Sequence, residues 1–592
     1  MTAYEQAVRA VQFLGVDAIE KANSGHPGAV MGLAGIGVEL FTRHLRYNPA
    51  DPAWPNRDRF VLSCGHASML QYALLHLAGY DLGLEDLKQF RQWGARTAGH
   101  PEVGHAPGVE TTTGPLGQGI ANAVGMALAG KMAAARVNRP GSELFDYRVF
   151  VIASDGDLME GISAEASAIA GHLGLDNLVV LYDDNEITID GATSLSSRED
   201  TVKRFEAQGW YAQAVDGHDA VALAAAIERA VAEPTRPSLI AARTVIGRGA
   251  PTKAGTSACH GAPLGKSEAE AAKRAAGWPL EPAFFVPEEA YVPFKEQVAR
   301  NKPAYDAWQQ RVQALSAEQA DALRRLLSRE VPADLRKVLF GCLDAKKADA
   351  TRSLANKVQQ KAAAAVPALV GGSADLACSV KSLINDSTDV GPGQFSGRNL
   401  HFGVREHAMA AISNGLALSG FFIPYSSTFL IFSDYMRPAM RMAALMRQQS
   451  LFIFSHDSVF VGEDGPTHQP IEQLATLRLV PNLHIFRPAD ALETEAAWAY
   501  ALERRKGPTA IVTTRQNVPP IERRADFTQA EVMAGAYVVV DEPGAQLALI
   551  ATGSELHVAA AARKLLQDKG IASRLVSMPC VNAFLALSAE QQ

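Results

Sequence analysis

Apolar runs of five or six residues recur along the chain, each closed by a polar or glycine-rich turn. "VFVIA" (149–153) passes into "SDGDLMEG" (154–161), an Ala-rich helical pattern follows over 163–174, and "NLVVLY" (177–182) ends in "DDNEIT" (183–188). Strand, helix, strand at this spacing predicts a βαβ unit with parallel strands. Uninterrupted apolar strands predict a sheet covered on both faces. "SLIAARTVIG" (238–247) predicts another strand, and a Lys/Glu/Ala/Gln-rich helical region over 288–349 reads as a linker. Beyond it, "GVREHAMAAISNGLALSG" predicts a helix, and strands are expected at 451–457, 508–514, 536–540, 547–552 and 574–578. The pattern is α/β, α/β, then a smaller α/β piece. Ligands of open parallel sheets sit beyond the carboxyl ends of the strands, and the polar clusters of this chain lie there.

A length of 592 residues suggests about three to four domains. The 47% hydrophobic and 20% charged residues are those of an ordinary globular protein. A net charge of -7 with no Lys/Arg tract argues against nucleic acid or an anionic membrane as partner. The five cysteines are scattered and form no CxxC, which predicts reduced thiols and a cytoplasmic protein. The longest apolar stretch, 29–41, is too short and too Gly-rich to cross a bilayer, and the N-terminus reads as a helix start and not as a signal peptide.

The strand ends at 154–161 and 183–188 offer oxygens and no lysine. Asp155 ends one strand and Asn185 the next, so both reach one edge of the sheet. With the main-chain carbonyl of Ile187 they make a three-oxygen set suited to Mg²⁺, which takes its remaining ligands from water and phosphates. Singly, each residue is better read as a turn former; the pairing on successive strands is what favours a cation that in turn holds a diphosphate.

"SDGDLMEG" followed by "YDDNEITIDG" resembles the thiamine-diphosphate motif of the transketolase family. The resemblance continues through "NSGHPG" (23–28), "LSCGHAS" (62–68), "GHPE" (99–102), "TTTGPLGQG" (111–119), "HGAPLG" (260–265), "GGSADLA" (371–377), "HFGVREHAM" (401–409), "HDSVFVGEDGPTHQP" (456–470) and "TRQN" (514–517), in order along nearly the whole chain. Other patterns fail. "GAPLGKS" lacks the first glycine of a P-loop, and Pro101 and Gly104 spoil any helix that would present His100 and His105 to a metal.

The resemblance implies two thiamine-diphosphate-binding parallel-sheet domains, at 1–315 (diphosphate) and 345–520 (pyrimidine), plus a smaller, incomplete C-terminal α/β domain at 530–592. It implies reversible transfer of a two-carbon ketol unit from a ketose phosphate (xylulose 5-phosphate, fructose 6-phosphate) to an aldose phosphate (ribose 5-phosphate, erythrose 4-phosphate) through a thiamine-bound dihydroxyethyl carbanion. The cofactors would be thiamine diphosphate and Mg²⁺, with Ca²⁺ or Mn²⁺ able to substitute, and the assembly a homodimer with its active sites between chains.

By the same resemblance, Glu406 stabilises the imino tautomer of the aminopyrimidine, a role that burial of its acid form would favour. Phe429, Phe432 and Tyr435 line the aminopyrimidine pocket; their i, i+3, i+6 spacing alone would suggest helical core packing. His26 and His260 face the donor's C3 hydroxyl, His100 and His468 its C1 and C2 region, and His66 the cofactor diphosphate, as acid–base groups near neutrality. Leu116, Gly117, Gly156 and Glu160 complete the cofactor contacts. Arg352, Ser379, His456 and Arg515 clamp the sugar phosphate, Asp464 reads a sugar hydroxyl, and Asp375 serves the cofactor or the dimer contact.

Three departures stand out. "NEIT" replaces the commoner NGIS, Cys378 stands where proline is usual, and the chain stops at "AEQQ" inside the third domain, leaving about three strands and an exposed sheet edge. The catalytic motifs precede position 520, so activity is expected, with reduced stability. Two rival readings are another thiamine-dependent ketol enzyme, such as dihydroxyacetone synthase or deoxyxylulose-phosphate synthase, and a catalytically silent binding protein of the same fold. The histidine set and "HGAPLG" favour transketolase over the first, and intact Asp155, Asn185 and Glu406 argue against the second.

Overall fold

The computed structural model describes residues 1–592 as two compact units, Met1–Asp321 and Ala322–Gln592. The first is built on a five-stranded parallel sheet of β1 (Arg59–Leu62), β2 (Val149–Ser154), β3 (Leu178–Asp184), β4 (Tyr211–Asp216) and β5 (Ser238–Arg243) in the order β1-β2-β3-β5-β4. Strand β2 is buried along its whole length and β3 up to its last residue, as their uninterrupted apolar runs require of a sheet covered on both faces. Ser154 pairs with Asp183, so β2 and β3 end side by side.

The 288–349 region departs from the expected linker. Its first helix, Glu288–Gln313, belongs to the first unit: Phe294 and Trp308 are buried, and Gln297 and Asn301 donate to the carbonyls of Leu45 and Tyr47. Its polar residues face water while one stripe packs inward, so composition alone suggests a tether where the fold has an integral helix.

The second unit carries a six-stranded parallel sheet of β6 (Leu369–Ser373), β7 (Asn399–His401), β8 (Ile423–Phe429), β9 (Leu451–Ser455), β10 (His484–Phe486) and β11 (Thr509–Val512), ordered β7-β6-β8-β9-β11-β10. Helix Glu406–Leu418 packs on β8. A three-stranded sheet follows: β12 (Tyr537–Val540) runs antiparallel to β14 (Ser573–Ser577), which pairs in parallel with β13 (Leu547–Ala551). β13 is an edge strand of this sheet, with Ile550 exposed.

This small sheet joins helix Ala491–Glu503 through an apolar cluster of Ala496, Tyr537, Val539 and Leu575 and through one carboxylate. Glu493, fully buried, accepts from the Tyr537 hydroxyl at 2.8 Å, the Ser577 hydroxyl at 2.6 Å and the Ala489 amide at 2.7 Å. Arg523 approaches Glu493 at 3.8 Å and pairs with Asp490 at 2.6 Å, so the buried charge has both a cation and hydrogen bonds.

Candidate active site

In the first unit, the carboxyl ends of β2 and β3 open onto a cavity of about 270 Å³. Asp155, Asn185, Ile187, Gly156, Leu116, His26, His66 and His260 all line it, which brings together most of what the sequence singled out there. Asp155 is buried. Its Oδ1 accepts from the Tyr182 hydroxyl at 2.5 Å, while Oδ2 is enclosed and has no hydrogen-bond partner. Burial pushes this carboxyl up to about 6, against the pull of the Tyr182 bond. Asn185 is held at both ends of its amide: Nδ2 donates to Asp183 at 2.8 Å, and Oδ1 accepts from the Ile187 amide at 2.9 Å. Asp183, almost fully buried, also accepts from the Thr244 hydroxyl, and burial pushes it up to about 7. An orphaned, buried carboxylate oxygen beside a fixed amide oxygen is a donor set that suits a hard divalent cation.

Glu186 occupies left-handed backbone at φ 59 and turns its side chain outward onto Arg243. The extra charge at this position is thereby neutralised by a neighbouring guanidinium.

Three imidazoles line the same cavity, His26, His66 and His260, and His100 stands beside them. His26 caps helix Pro27–Glu39, His66 sits in a 3₁₀ turn, and His100 and His260 lie in loops. The ring centroid of His26 is 5.2 Å from His66, 6.3 Å from His100 and 6.0 Å from His260; His66 and His260 stack at 5.3 Å. Burial, then Arg91 and the neighbouring rings, lowers His26 to about 4, and burial lowers His66 to about 3. His100 and His260 are lowered too, again chiefly by burial. At neutral pH the cluster is uncharged, able to take up or donate protons.

Gly117 opens helix Gln118–Val137 at φ +80, where a Cβ would overlap Ile162 and crowd Glu160. Only glycine leaves that main chain bare at a helix N-terminus. Gly117 and Glu160 stand beside the cavity without lining it, and Glu160 is exposed.

The second unit carries the other residue set. Glu406 is the first residue of its helix, 7% exposed, with the Thr428 hydroxyl 3.4 Å from its Oε1. The next residue, Phe429, stacks on His456 at 3.7 Å. The three aromatics do not form a helical stripe: Phe429 ends β8, Phe432 lies in a 3₁₀ turn and only Tyr435 is helical. They still stack in series, at 6.1 Å for each step, from buried Phe429 to Tyr435 at 65% exposure. The His468 ring stands 5.3 Å from Phe432. His456 Nε2 is 3.9 Å from Asp464, and burial, with Arg352 and Arg515 nearby, lowers it to about 4. Arg352 donates to the Ser379 carbonyl at 2.8 Å, and Arg515 is paired with Glu463. Asp375 is exposed in left-handed backbone at φ 60.

Three family models cover the chain: the transketolase thiamine diphosphate binding domain over residues 3–333, the transketolase pyrimidine binding domain over 347–520 and the transketolase-like C-terminal domain over 535–592. The transketolase of Geobacillus stearothermophilus is 49% identical over 98% of this chain and 88% of its own. The plasmid-borne transketolase of Cupriavidus necator is 51% identical over 99% and 88%. Among solved structures, the Pichia stipitis transketolase in complex with sedoheptulose 7-phosphate superposes with a TM-score of 0.96 at 42% identity, covering all of this chain and 88% of that one.

The chain belongs to the transketolase family. It is a thiamine-diphosphate-dependent transferase with the family's parallel-sheet α/β domains and a small C-terminal domain. No motif in the sequence points to Tyr182 and Thr244, which with Asp183 hold the Asp155–Asn185 edge in place, or to Glu463, the counter-ion of Arg515. The doubled aspartate in "DDNEIT" was the one available signal for Asp183.

Proposed function

We propose that this enzyme moves a two-carbon ketol unit from a ketose phosphate to an aldose phosphate, working as a homodimer on thiamine diphosphate held through Mg²⁺. The observation that carries the reading is the convergence, on one cavity, of an orphaned carboxylate oxygen, a clamped asparagine amide and three of the four uncharged histidines, with His100 beside them. Asp155, Asn185 and the Ile187 carbonyl would hold the cation, for which Ca²⁺ or Mn²⁺ could substitute. Thiamine diphosphate supplies the electron sink that lets a carbon–carbon bond beside a ketone break.

The protein's residues bind, orient and move protons. Leu116, Gly117, Gly156, Glu160 and His66 would seat the diphosphate end, and Phe429, Phe432 and Tyr435 the pyrimidine end, where Glu406 would hold its proton toward the ring nitrogen. His26, His100, His260 and His468 would handle the hydroxyl and carbonyl protons of the sugar. Arg352, Arg515, Ser379 and His456 would clamp its phosphate, with Asp464 reading a hydroxyl. Solved relatives bound to sedoheptulose 7-phosphate and fructose 6-phosphate support sugar phosphates as substrates. Five free cysteines support a cytoplasmic location, and no helix is long and apolar enough to cross a membrane.

The test is transfer from xylulose 5-phosphate to ribose 5-phosphate by cofactor-stripped enzyme, with thiamine diphosphate and Mg²⁺ restored separately and together. Activity is expected only with both, with a loss of at least about 100-fold in Glu406→Ala. Tight cofactor binding without transfer would refute the assigned reaction.

A further inference from the structure

Arg91 has no role in the reading above, yet it reaches the histidine cluster. Its main chain sits at φ 61 in a turn closed by its own amide on the Thr97 carbonyl at 3.0 Å. No carboxylate pairs with it. Its guanidinium instead donates to Ser24 Oγ at 2.7 Å and to His26 Nδ1 at 3.4 Å. Gly99 leaves room for it: a Cβ there would stand 3.2 Å from the Arg91 Nε.

A guanidinium carries only donors and keeps its proton throughout the working pH range. The His26 nitrogen that meets it must therefore be the lone-pair nitrogen, which leaves the ring's single proton on Nε2. That side of the ring faces Gly261, where a Cβ would be 3.7 Å from Nε2, in the loop that carries His260.

We propose that Arg91 is a positioning residue that locks His26 in its Nε2–H tautomer, so that His26 meets the sugar as a neutral hydrogen-bond donor and not as a base. Proton removal then falls to the other imidazoles. The charges are consistent with this. Arg91, His66, His100 and His260 face His26, Asp155 and Asp183 line the same cavity, and the Arg91 guanidinium opposes a second proton on the ring. The inference rests on the proposed reading in that His26 is taken to face the substrate.

The test separates the two. Solid-state ¹⁵N spectra of histidine-labelled holoenzyme, with the His26 signal identified by its loss in His26→Gln, report the tautomer without any turnover. The Nε2–H pattern is expected in the native enzyme, and a mixture of tautomers in Arg91→Gln, whose amide can accept as well as donate, and in Arg91→Ala. In both variants the acid limb of the kcat/KM profile should move up by about one pH unit. In Arg91→Ala, kcat should fall about 10-fold or more while the dissociation constant of thiamine diphosphate is unchanged. A native His26 bearing its proton on Nδ1, or an Arg91→Ala variant with the native tautomer, would overturn the proposal; if that variant does not fold, the native and Arg91→Gln spectra decide. Absence of ketol transfer alongside the expected spectra would sink the reading of the reaction and leave the tautomer assignment intact.

Discussion

Of the proposed ligands of the cation, Asp183 hydrogen-bonds Asn185 alone, so Asp183→Ala isolates what clamping is worth. The substitution removes the acceptor for Asn185 Nδ2 at 2.8 Å and leaves only the Ile187 amide to fix the asparagine. Partners one shell out from a metal typically account for about 10–100-fold in its affinity, or about 1.4–2.7 kcal/mol. A second consequence is a buried Thr244 hydroxyl without its acceptor, which costs about 1–3 kcal/mol of stability. Removing a carboxylate that burial already disfavours offsets part of that. Thr244→Val separates the terms, since it deletes the hydroxyl and keeps the Asn185 clamp. The assay is Mg²⁺ titration of ketol transfer at saturating thiamine diphosphate, with melting curves in parallel. The Mg²⁺ midpoint should rise about 10-fold or more in Asp183→Ala and less than about 3-fold in Thr244→Val. A folded Asp183→Ala enzyme with the native Mg²⁺ midpoint would refute the reasoning.

Two further outcomes are expected. Arg352→Gln should raise KM for a phosphorylated ketose about 10-fold or more, the loss of a charge-assisted contact, and leave KM for an unphosphorylated ketose unchanged; equal effects on both would remove Arg352 from the phosphate clamp. His66 titrates near 3 in the fold against about 6.5 unfolded, so between those values the unfolded chain binds a proton that the native ring refuses. Stability should thus be full above pH 6.5 and fall as the pH drops through that window, by at most about 1.4 kcal/mol per pH unit for this ring. Urea unfolding of cofactor-free protein should show a shallower acid loss in His66→Gln, and an unchanged slope would remove this ring as its source.

Strands made of Val, Ile and Leu were legible in the sequence, and so was the polar edge that β2 and β3 share, because the side chains there contradict the run before them. Strand β8 was not: "IPYSSTF" carries hydroxyls through the middle of a sheet. They are tolerated because Ser426 bonds Ser413 at 2.8 Å and Ser427 bonds Ser382 at 2.7 Å, partners 13 and 45 residues away that no local window connects. Strand β1 is only four residues long and was likewise missed. At the site, residue types announced the proposed cation ligands, whereas their supports could not be read locally: Thr244 meets Asp183 across 61 positions, and Arg91 meets His26 across 65. The aromatic stack shows the opposite error, since a spacing of three suggested one helix where a strand, a turn and a helix meet.

The Glu493 junction sets an order of events on the ribosome. The helix that carries it is made 44 residues before Tyr537 and 84 before Ser577. At roughly 5–20 residues per second, that second interval lasts about 4–17 seconds. For the first 44 residues of it, Glu493 has no hydroxyl from the small sheet and only the Ala489 amide and Arg523 to meet its charge. This corner beside the pyrimidine-binding sheet is therefore complete only after β14 emerges, so a strand made later takes part in the maturation of a domain that lies wholly upstream of it.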